Sequence, residues 1–406
     1  MRVLWNNRDY MLLWSGQVVS TLGSAASAVV YPLLILAMTQ SAEAAGIAGA
    51  LRAFPYLVFS LPGGALIDRW DRKRVMIWCD VGRGLATASI PLALWLDALT
   101  LAQLYLATFI EGSLFVFFNI AEVAALPRVV AREHLPEAAA QNDAGFAAVH
   151  IAGPALGTFL FGALGRAAPF VFDACSYAVS AASLLRIRTP FHTERKREAR
   201  PLGPEVMEGL RWLWGNPLVR YMALLTGGLN LMNAGTTLML IVLAKDMGAR
   251  DSSIGLIFSI AGIGGIAGAV VGGQVQKRWR FGQVIVTLMA MDAVLFPLYA
   301  LAPTPWLLGL VGGAIFFMSP IYNVVQFSYR LSIIPDELQG RVNSTFRLAA
   351  FGFMPLGAVL AGFVIEHYGA KACVFVLSCV MIALAALTAA NRHVREAGPV
   401  ASRSAA

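Results

Sequence analysis

Residues 63–74 read GGALIDRWDRKR and mark the place where one long apolar run ends and the next begins. The stretch holds six charged residues, whereas the runs around it, 45–67 and 75–96, are mostly apolar. The same alternation continues along all 406 residues, of which 58% are hydrophobic and 13% charged. Because an average soluble domain carries about 25% charged residues, the composition excludes a soluble globular chain and indicates a polytopic membrane protein.

Twelve apolar runs are long enough to cross a bilayer, which takes about 20 residues of helix for a hydrocarbon core of about 30 Å. The runs lack the strict polar–apolar alternation of membrane β-strands, so we predict helices. The predicted spans are 12–39, 45–67, 75–96, 101–125, 144–165, 168–188, 218–244, 253–275, 283–302, 304–329, 344–366 and 370–391.

The net charge of +8 arises from cations that concentrate in every second loop between these spans. Lysine and arginine in short loops mark the cytoplasmic side of a membrane protein. We therefore expect both termini and the segment 189–217 to be cytoplasmic, in an integral, multi-pass protein of the plasma membrane, the inner membrane of a bacterium. Loop anchoring accounts for the positive charge, so no nucleic-acid partner is expected.

The chain divides into two related halves. We predict a six-helix bundle over 1–188, a cytoplasmic linker over 189–217, a second six-helix bundle over 218–391 and a cytoplasmic tail over 392–406. An internal repeat supports a duplication, because GGALIDRW at 63–70 returns as GGQVQKRW at 272–279. Two related halves of six spans, with a substrate site near the bilayer midplane, are typical of secondary transporters.

The stretch 64–73, GALIDRWDRK, resembles the signature loop of the major facilitator superfamily, in which glycine usually stands where this chain has Asp71. The aspartate form, together with PDELQGRV at 335–342 and FDA at 172–174, resembles the exporter branch that includes enterobactin exporters and macrolide efflux proteins. The resemblance implies an all-α membrane protein with twelve transmembrane helices in two pseudo-symmetric six-helix bundles, the major facilitator fold.

The resemblance also implies a cytoplasmic gate around the signature loop. Asp68 would face the start of a helix in the other half, and the neighbouring cations would pair with carboxylates at helix ends, with Glu122 expected to pair with Arg72. The alternative is that these cations only set the orientation of the chain. The gate residues are Gly64, Asp68, Arg69, Arg72, Lys73 and Glu122.

The fifth span carries Gly153, Pro154 and Gly157, which resemble the core of the antiporter motif, although Thr158 replaces its last glycine. We expect a bendable and closely packing helix here. Because proline and glycine are common in membrane helices, the motif supports export only weakly.

Charged residues inside the spans point to a function, because the bilayer interior disfavours charge. Glu111 and Asp292 lie near the midplane, and Asp173 lies near one end of its span; we rank Glu111 first, Asp292 second and Asp173 third as carriers of a coupled proton. The alternative is a permanent structural ion pair, such as Glu111 or Asp173 with Arg52. Asp80 and Arg83, three residues apart, are expected to pair with each other.

Polar and aromatic residues at helical spacing indicate the faces that line a water-filled cavity. The spacing of 4, 3 and 4 that joins Glu111 to Glu122 recurs in the second half from Ser319 to Arg330. Arg52 could attract an anionic substrate. The candidate cavity residues are Arg52, Gln17, Tyr31, Phe115, Asn119, Asn230, Asn233, Asn323 and Gln326.

We therefore expect a secondary active transporter that exports a small amphipathic or anionic molecule, siderophore-like or drug-like, by alternating access as a proton antiporter. The alternatives are an uptake symporter, a flippase for lipid substrates and a receptor that transports nothing. No nucleotide-binding loop, nucleophile elbow or metal-ligand spacing is present, so neither enzymatic activity nor a metal or other cofactor is expected. The expected partners are a small-molecule substrate, protons and the lipid bilayer, with the chain working as a monomer.

Overall fold

A computed structural model describes residues 2–191 and 202–398. Inside these ranges, the side chains that lie outside the description are those of Arg2, Ala65, Asp68, Arg132, Pro136, Leu202, Glu205, Val206, Ser252 and Asp336. The predicted gate residue Asp68 is thus described by its backbone alone.

The described residues fold into α-helices joined by short connections, and the chain divides into two compact units, Met1–Ala199 and Arg200–Ala406. The helices of the first unit are α1 (Arg2–Asn6), α2 (Arg8–Thr39), α3 (Ala42–Arg69), α4 (Arg72–Trp95), α5 (Leu101–Val129), α6 (Leu135–Leu164) and α7 (Ala168–Arg186). Those of the second unit are α8 (Leu202–Gly215), α9 (Pro217–Asp246), α10 (Asp251–Arg278), α11 (Phe281–Leu295), α12 (Leu298–Leu301), α13 (Pro305–Ile333), α14 (Gln339–Phe351), α15 (Met354–Tyr368), α16 (Ala370–Ala390) and α17 (Arg392–Arg395).

Each of the twelve predicted spans falls on helix, which confirms the all-α membrane fold. Among the described residues, eleven candidate spans are long and apolar enough to cross a membrane. The predicted third span is α4, a helix of 24 residues that carries the charged pair Asp80 and Arg83 and is not one of the eleven. Its charges lower its hydropathy, but its length still suffices for a bilayer.

Two predicted spans are interrupted helices. The ninth is broken between α11 and α12 at Phe296 and Pro297, and the eleventh between α14 and α15 at Gly352 and Phe353. Proline lacks the backbone N–H that continues a helical ladder, and Pro355 follows the second break directly. In the fifth span, by contrast, α6 runs through Pro154 without interruption.

Helix pairs at corresponding positions pack against each other in the two units. In the first unit α3 packs along α5, and α2 packs along α6 and α7; in the second, α10 packs along α13 and α9 along α15. The helix α8, within the predicted linker, packs on α14, where the Glu208 carboxylate and the Arg341 guanidinium form an ion pair.

Close approach of α10 and α13 depends on small residues. A methyl group added at Gly268 on α10 would overlap the carbonyl oxygen of Phe317 on α13, whereas one added at Gly273, five residues further along α10, would meet nothing within 4 Å. Small residues let membrane helices approach closely enough for extensive van der Waals contact.

We expect Gly268→Ala to destabilise the second unit by about 1–3 kcal/mol, because the added methyl forces the two backbones apart. The measurement is the apparent midpoint of thermal unfolding of the purified protein in detergent. Gly273→Ala is the matched control and should leave the midpoint unchanged. Equal midpoints for the two variants would contradict the close packing described here.

Candidate transport site

Glu111, a buried carboxylate of the first unit, forms an ion pair with the half-buried Arg52. The Arg52 Nη2 atom on α3 donates to Oε1 of Glu111 on α5 at 2.8 Å, and the Glu111 side chain is 1% exposed. Gly112, next to Glu111, has no side chain to keep α3 away, since a Cβ there would overlap the Arg52 carbonyl oxygen. The structure thus brings together two residues whose pairing the sequence left open.

A second arginine approaches the same carboxylate from α4. Arg83 Nη2 lies 3.8 Å from Glu111 Oε1, and Arg83 Nη1 lies 3.8 Å from Asp80 Oδ1, so the expected pair of Asp80 and Arg83 is formed. The Arg83 guanidinium also lies over the ring of Tyr177, 4.3 Å from its centroid. A buried guanidinium gains both Coulomb and cation–π stabilisation from such neighbours.

Hydroxyl groups from α2 and α7 complete this arrangement. The Tyr177 hydroxyl donates to Glu111 Oε1 at 3.3 Å and lies 2.8 Å from Ser24 Oγ, which also accepts from Arg83 Nη2 at 3.3 Å. We call this set the Arg52–Glu111 network; its members are Ser24, Arg52, Asp80, Arg83, Glu111 and Tyr177.

The network retains polar atoms without a hydrogen-bond partner among the described residues. They are both carboxylate oxygens of Asp80, Oε2 of Glu111 and Nε of Arg83. Buried polar atoms are nearly always paired in folded proteins. This concentration of unpaired atoms therefore distinguishes the network from an ordinary helix interface.

Asp173 lies on α7, one helical turn before Tyr177, and has a different environment. Its Oδ2 accepts from Ser27 Oγ at 2.6 Å, and the Ser176 hydroxyl lies 3.5 Å from its Oδ1. Among the described residues no cationic nitrogen lies within 4.0 Å of this buried carboxyl group. Asp173 is therefore held by hydroxyl groups alone.

Several predicted cavity residues of the first unit gather at a separate pocket. Gln17, Asn119 and Glu122 line a cavity of about 200 Å³ formed by α2, α5 and α6, together with Asn142 and Asp143. Tyr31 is instead buried against Phe170, and the Phe115 ring is 43% exposed with Arg83 near its face.

The predicted residues of the second unit do not form one cluster. Asn230 donates to the Ala350 carbonyl oxygen at 2.9 Å, and Gln326 is buried, whereas Asn233 and Asn323 are exposed. Asp292 on α11 is half-buried, and its Oδ1 lacks a hydrogen-bond partner among the described residues.

The loop between α3 and α4 is tied to neighbouring helix ends. Asp71 caps α4 by accepting from the backbone N–H groups of Lys73 and Arg74, which explains an aspartate where the signature loop usually has glycine. Lys73 Nζ donates at 2.7 Å to the carbonyl oxygen of Ile187 at the end of α7, a favourable place for a cation.

The expected pair of Arg72 with Glu122 is not formed among the described side chains. Arg72 Nη1 donates at 3.0 Å to the Ala124 carbonyl oxygen, while the expected partner carboxylate, Glu122, faces the pocket instead. Arg69 is exposed, and a Cβ added at Gly64 would meet nothing within 4 Å.

The helix-bend motif acts through packing in this structure. A methyl group added at Gly153 would overlap Ala25 on α2, and one added at Gly157 would overlap Ala26. The backbones of α6 and α2 are therefore in close contact. Because α6 remains continuous at Pro154, the residues permit close contact without a break.

Sequence reasoning missed Tyr177 and Ser24. The spacing of Asp173 and Tyr177, four residues apart on one face of α7, was a signal available in the sequence. For Ser24, nothing local in the sequence shows which helices it contacts.

Comparisons with known proteins agree with the geometry. A family model described as Major Facilitator Superfamily matches residues 13–353. The multidrug efflux pump Tap of Mycolicibacterium fortuitum is 27% identical, over 95% of this chain and 96% of that protein. The enterobactin exporter EntS of Escherichia coli (strain K12) is 25% identical, over 100% of this chain and 97% of that protein. The crystal structure of the nucleoside transporter NupG, 14% identical, shares the fold with a TM-score of 0.76, over 95% of this chain and 98% of that chain.

We expect Arg83→Gln to destabilise the first unit by about 3–5 kcal/mol, because it leaves the carboxylate of Asp80 buried without a cation. The double variant Asp80→Asn with Arg83→Gln removes both charges and should recover most of the loss. The readout is the apparent unfolding midpoint in detergent. An Arg83→Gln protein as stable as the wild type would show that this pair is not needed to compensate the buried charge.

Proposed function

This chain belongs to the Major Facilitator Superfamily, whose members are membrane transporters of small molecules and not enzymes, and from that premise we propose that it is a proton-coupled exporter. Export is favoured over uptake, lipid flipping or a receptor role because Tap and EntS, similar along nearly the whole chain, are both named for outward transport. We propose a small amphipathic or anionic substrate, siderophore-like or drug-like.

The ion pair of Arg52 with Glu111 is the observation that carries the proposal. It joins α3 to α5 inside the first unit, where charge separation is costly. A proton arriving on Glu111 would remove the negative charge that holds Arg52, and α3 and α5 would lose one of their links. When the proton leaves, the carboxylate re-forms the pair.

This cycle supplies a physical basis for antiport. Access from one side would load the proton on Glu111, and access from the other side would release it, so that each proton entry accompanies one change of state. Interactions that differ between two states are what allows a bound group to shift the balance between them. Tyr177, which donates to the same oxygen, would hold the carboxylate in place throughout.

Asp173 and Asp292 are the alternative proton carriers. Protonating Asp173 would break no ion pair, because its partners are hydroxyl groups. Asp292 belongs to the second unit, and its Oδ1 atom lacks a hydrogen-bond partner among the described residues. Glu111 remains first because, of the three candidates, it is the one held by an ion pair between two helices among the described residues.

We propose that the loop between α3 and α4 belongs to a cytoplasmic gate and that both termini are cytoplasmic. The cations of this loop support that orientation. The contacts of Lys73 with the end of α7 and of Arg72 with α5 would transmit movement of the loop to the helices of the network. The chain would work as a monomer.

We expect Glu111→Gln to abolish proton-driven transport while downhill flux continues, because the amide cannot exchange a proton but still fills the same space. Purified protein is reconstituted in liposomes, and accumulation of a fluorescent organic dye is measured with and without an acidic lumen. With a lumen about one pH unit more acidic than the outside, one-for-one exchange should let the wild type accumulate dye about tenfold, since about 1.4 kcal/mol corresponds to a factor of ten.

The matched control is Glu396→Gln, at an exposed carboxylate that pairs with Arg392 near the end of the described chain. It should transport like the wild type. Intact proton-driven accumulation in Glu111→Gln would remove Glu111 from the mechanism, and loss in Asp173→Asn alone would assign the proton to Asp173.

For the gate, we expect Asp68→Asn to reach the membrane in normal amounts but to transport several-fold more slowly, because the neutral side chain loses its attraction for a helix N-terminus. Asp97→Asn is a suitable control, since Asp97 is exposed with a left-handed φ of 50°, a conformation that asparagine adopts readily. Wild-type flux in a well-expressed Asp68→Asn protein would exclude the gate role.

A further inference from the structure

Arg330 on α13 is a buried cation of the second unit, and no carboxylate among the described residues forms an ion pair with it. We propose that Arg330 and Gln326 form a binding site for an oxyanion group, a carboxylate, phosphate or sulfonate, of the transported molecule. This inference rests on the proposed transport function and names the substrate class within it.

The burial of Arg330 is the first part of the argument. The residue is 6% exposed, and its Nε atom is enclosed without a hydrogen-bond partner among the described residues. In the described part of the chain no carboxylate oxygen lies within 4.0 Å of its guanidinium nitrogens. Burying a charge without a counter-charge is energetically unfavourable. A protein that retains such a charge is therefore expected to use it in its function.

The two arginines of the first unit that lie near Glu111 provide an internal comparison. Arg83 lies 3.8 Å from Asp80 and from Glu111, and Arg52 lies 2.8 Å from Glu111. Arg330, by contrast, has no carboxylate oxygen within 4.0 Å of its guanidinium nitrogens among the described residues.

Aromatic rings hold Arg330 without using its N–H groups. The guanidinium carbon lies 3.8 Å from the centroid of Phe346 on α14 and 5.4 Å from that of Phe327. Rings over a guanidinium stabilise its charge through its face. Its donors lie around the edge of the guanidinium plane, where an oxyanion binds with two parallel hydrogen bonds.

Gln326 supplies a second donor on the same helix face. It precedes Arg330 by four residues, a spacing that places neighbouring side chains side by side. Gln326 is 5% exposed, and its Nε2 atom is also enclosed without a partner among the described residues. Two buried donors without partners, one of them charged, match an acceptor that carries negative charge on more than one oxygen.

The test compares two dyes that share a xanthene ring system and differ in charge. Carboxyfluorescein is anionic, and tetramethylrhodamine methyl ester is cationic. Each is titrated by fluorescence anisotropy against the full-length protein in phosphatidylcholine nanodiscs. We expect the wild type to bind the anionic dye more tightly. Arg330→Gln should weaken that binding by about tenfold or more, the scale of a hydrogen bond to a charged group, and leave the cationic dye unaffected.

Three further variants sharpen the result. Arg330→Lys should recover part of the affinity, because it restores the charge without the planar donor geometry. Gln326→Leu should cause a smaller loss that is again confined to the anionic dye. Arg392→Gln removes an exposed arginine whose partner is Glu396 and should change neither affinity.

Equal affinity of the wild type for the two dyes would overturn the proposal. So would an Arg330→Gln variant that loses both dyes equally together with its thermal stability, since Arg330 would then be a structural residue. Nanodiscs that contain phosphatidylglycerol identify the source of the anion. If this lipid displaces carboxyfluorescein from the wild type but has no effect on Arg330→Gln, the site binds a lipid headgroup. The assignment of the site to the transported substrate is then wrong.

The binding assay uses no proton gradient and measures no flux. If the protein binds the anionic dye through Arg330 but transports nothing across liposome membranes, the proposed export function is wrong and the proposed anion site is supported. A protein that transports without any preference for the anion would refute the site alone.

Discussion

Placing a carboxylate inside a membrane helix bundle requires a compensating charge, and the pair formed by Glu111 and Arg52 meets this requirement in the first unit. The pair joins α3 to α5, and Arg83 and Tyr177 bring α4 and α7 to the same oxygen atom. Four helices are thus oriented by one buried charge. A low dielectric strengthens the attraction within the pair and raises the cost of separating it. A change in the charge of Glu111 would therefore alter its interaction with each of these helices.

The two units differ in whether their buried arginines have carboxylate partners, although their helices follow the same order. The first unit encloses carboxylates and guanidinium groups together, and the second encloses Arg330 among aromatic rings with no carboxylate within reach in its described residues. A duplicated fold does not require duplicated chemistry, since function resides in the side chains that the fold presents. A proton site in one half and an anion site in the other would divide the two tasks of an antiporter.

Close helix contact is what allows such short polar connections. Gly112 lets α3 lie against α5 so that Arg52 reaches Glu111, and Gly157 lets α6 lie against α2. In a bilayer there is no hydrophobic force to press helices together, so contact between small residues has to supply the attraction. The polar network and the glycine contacts therefore depend on each other.

The amino-acid sequence alone determined the features that arise from local periodicity and composition: the helical spans, the division into related halves and the pairing of Asp80 with Arg83, which are one helical turn apart. It also predicted a functional role for Glu111, because the bilayer interior disfavours charge in an apolar run. Only the tertiary structure decided that Arg52 is the partner of Glu111, that Glu122 faces a pocket and not Arg72, and that the proline of α6 leaves its helix intact while two other spans break. These outcomes depend on which helices lie side by side, and contacts between residues distant in sequence leave no periodic signal in the chain.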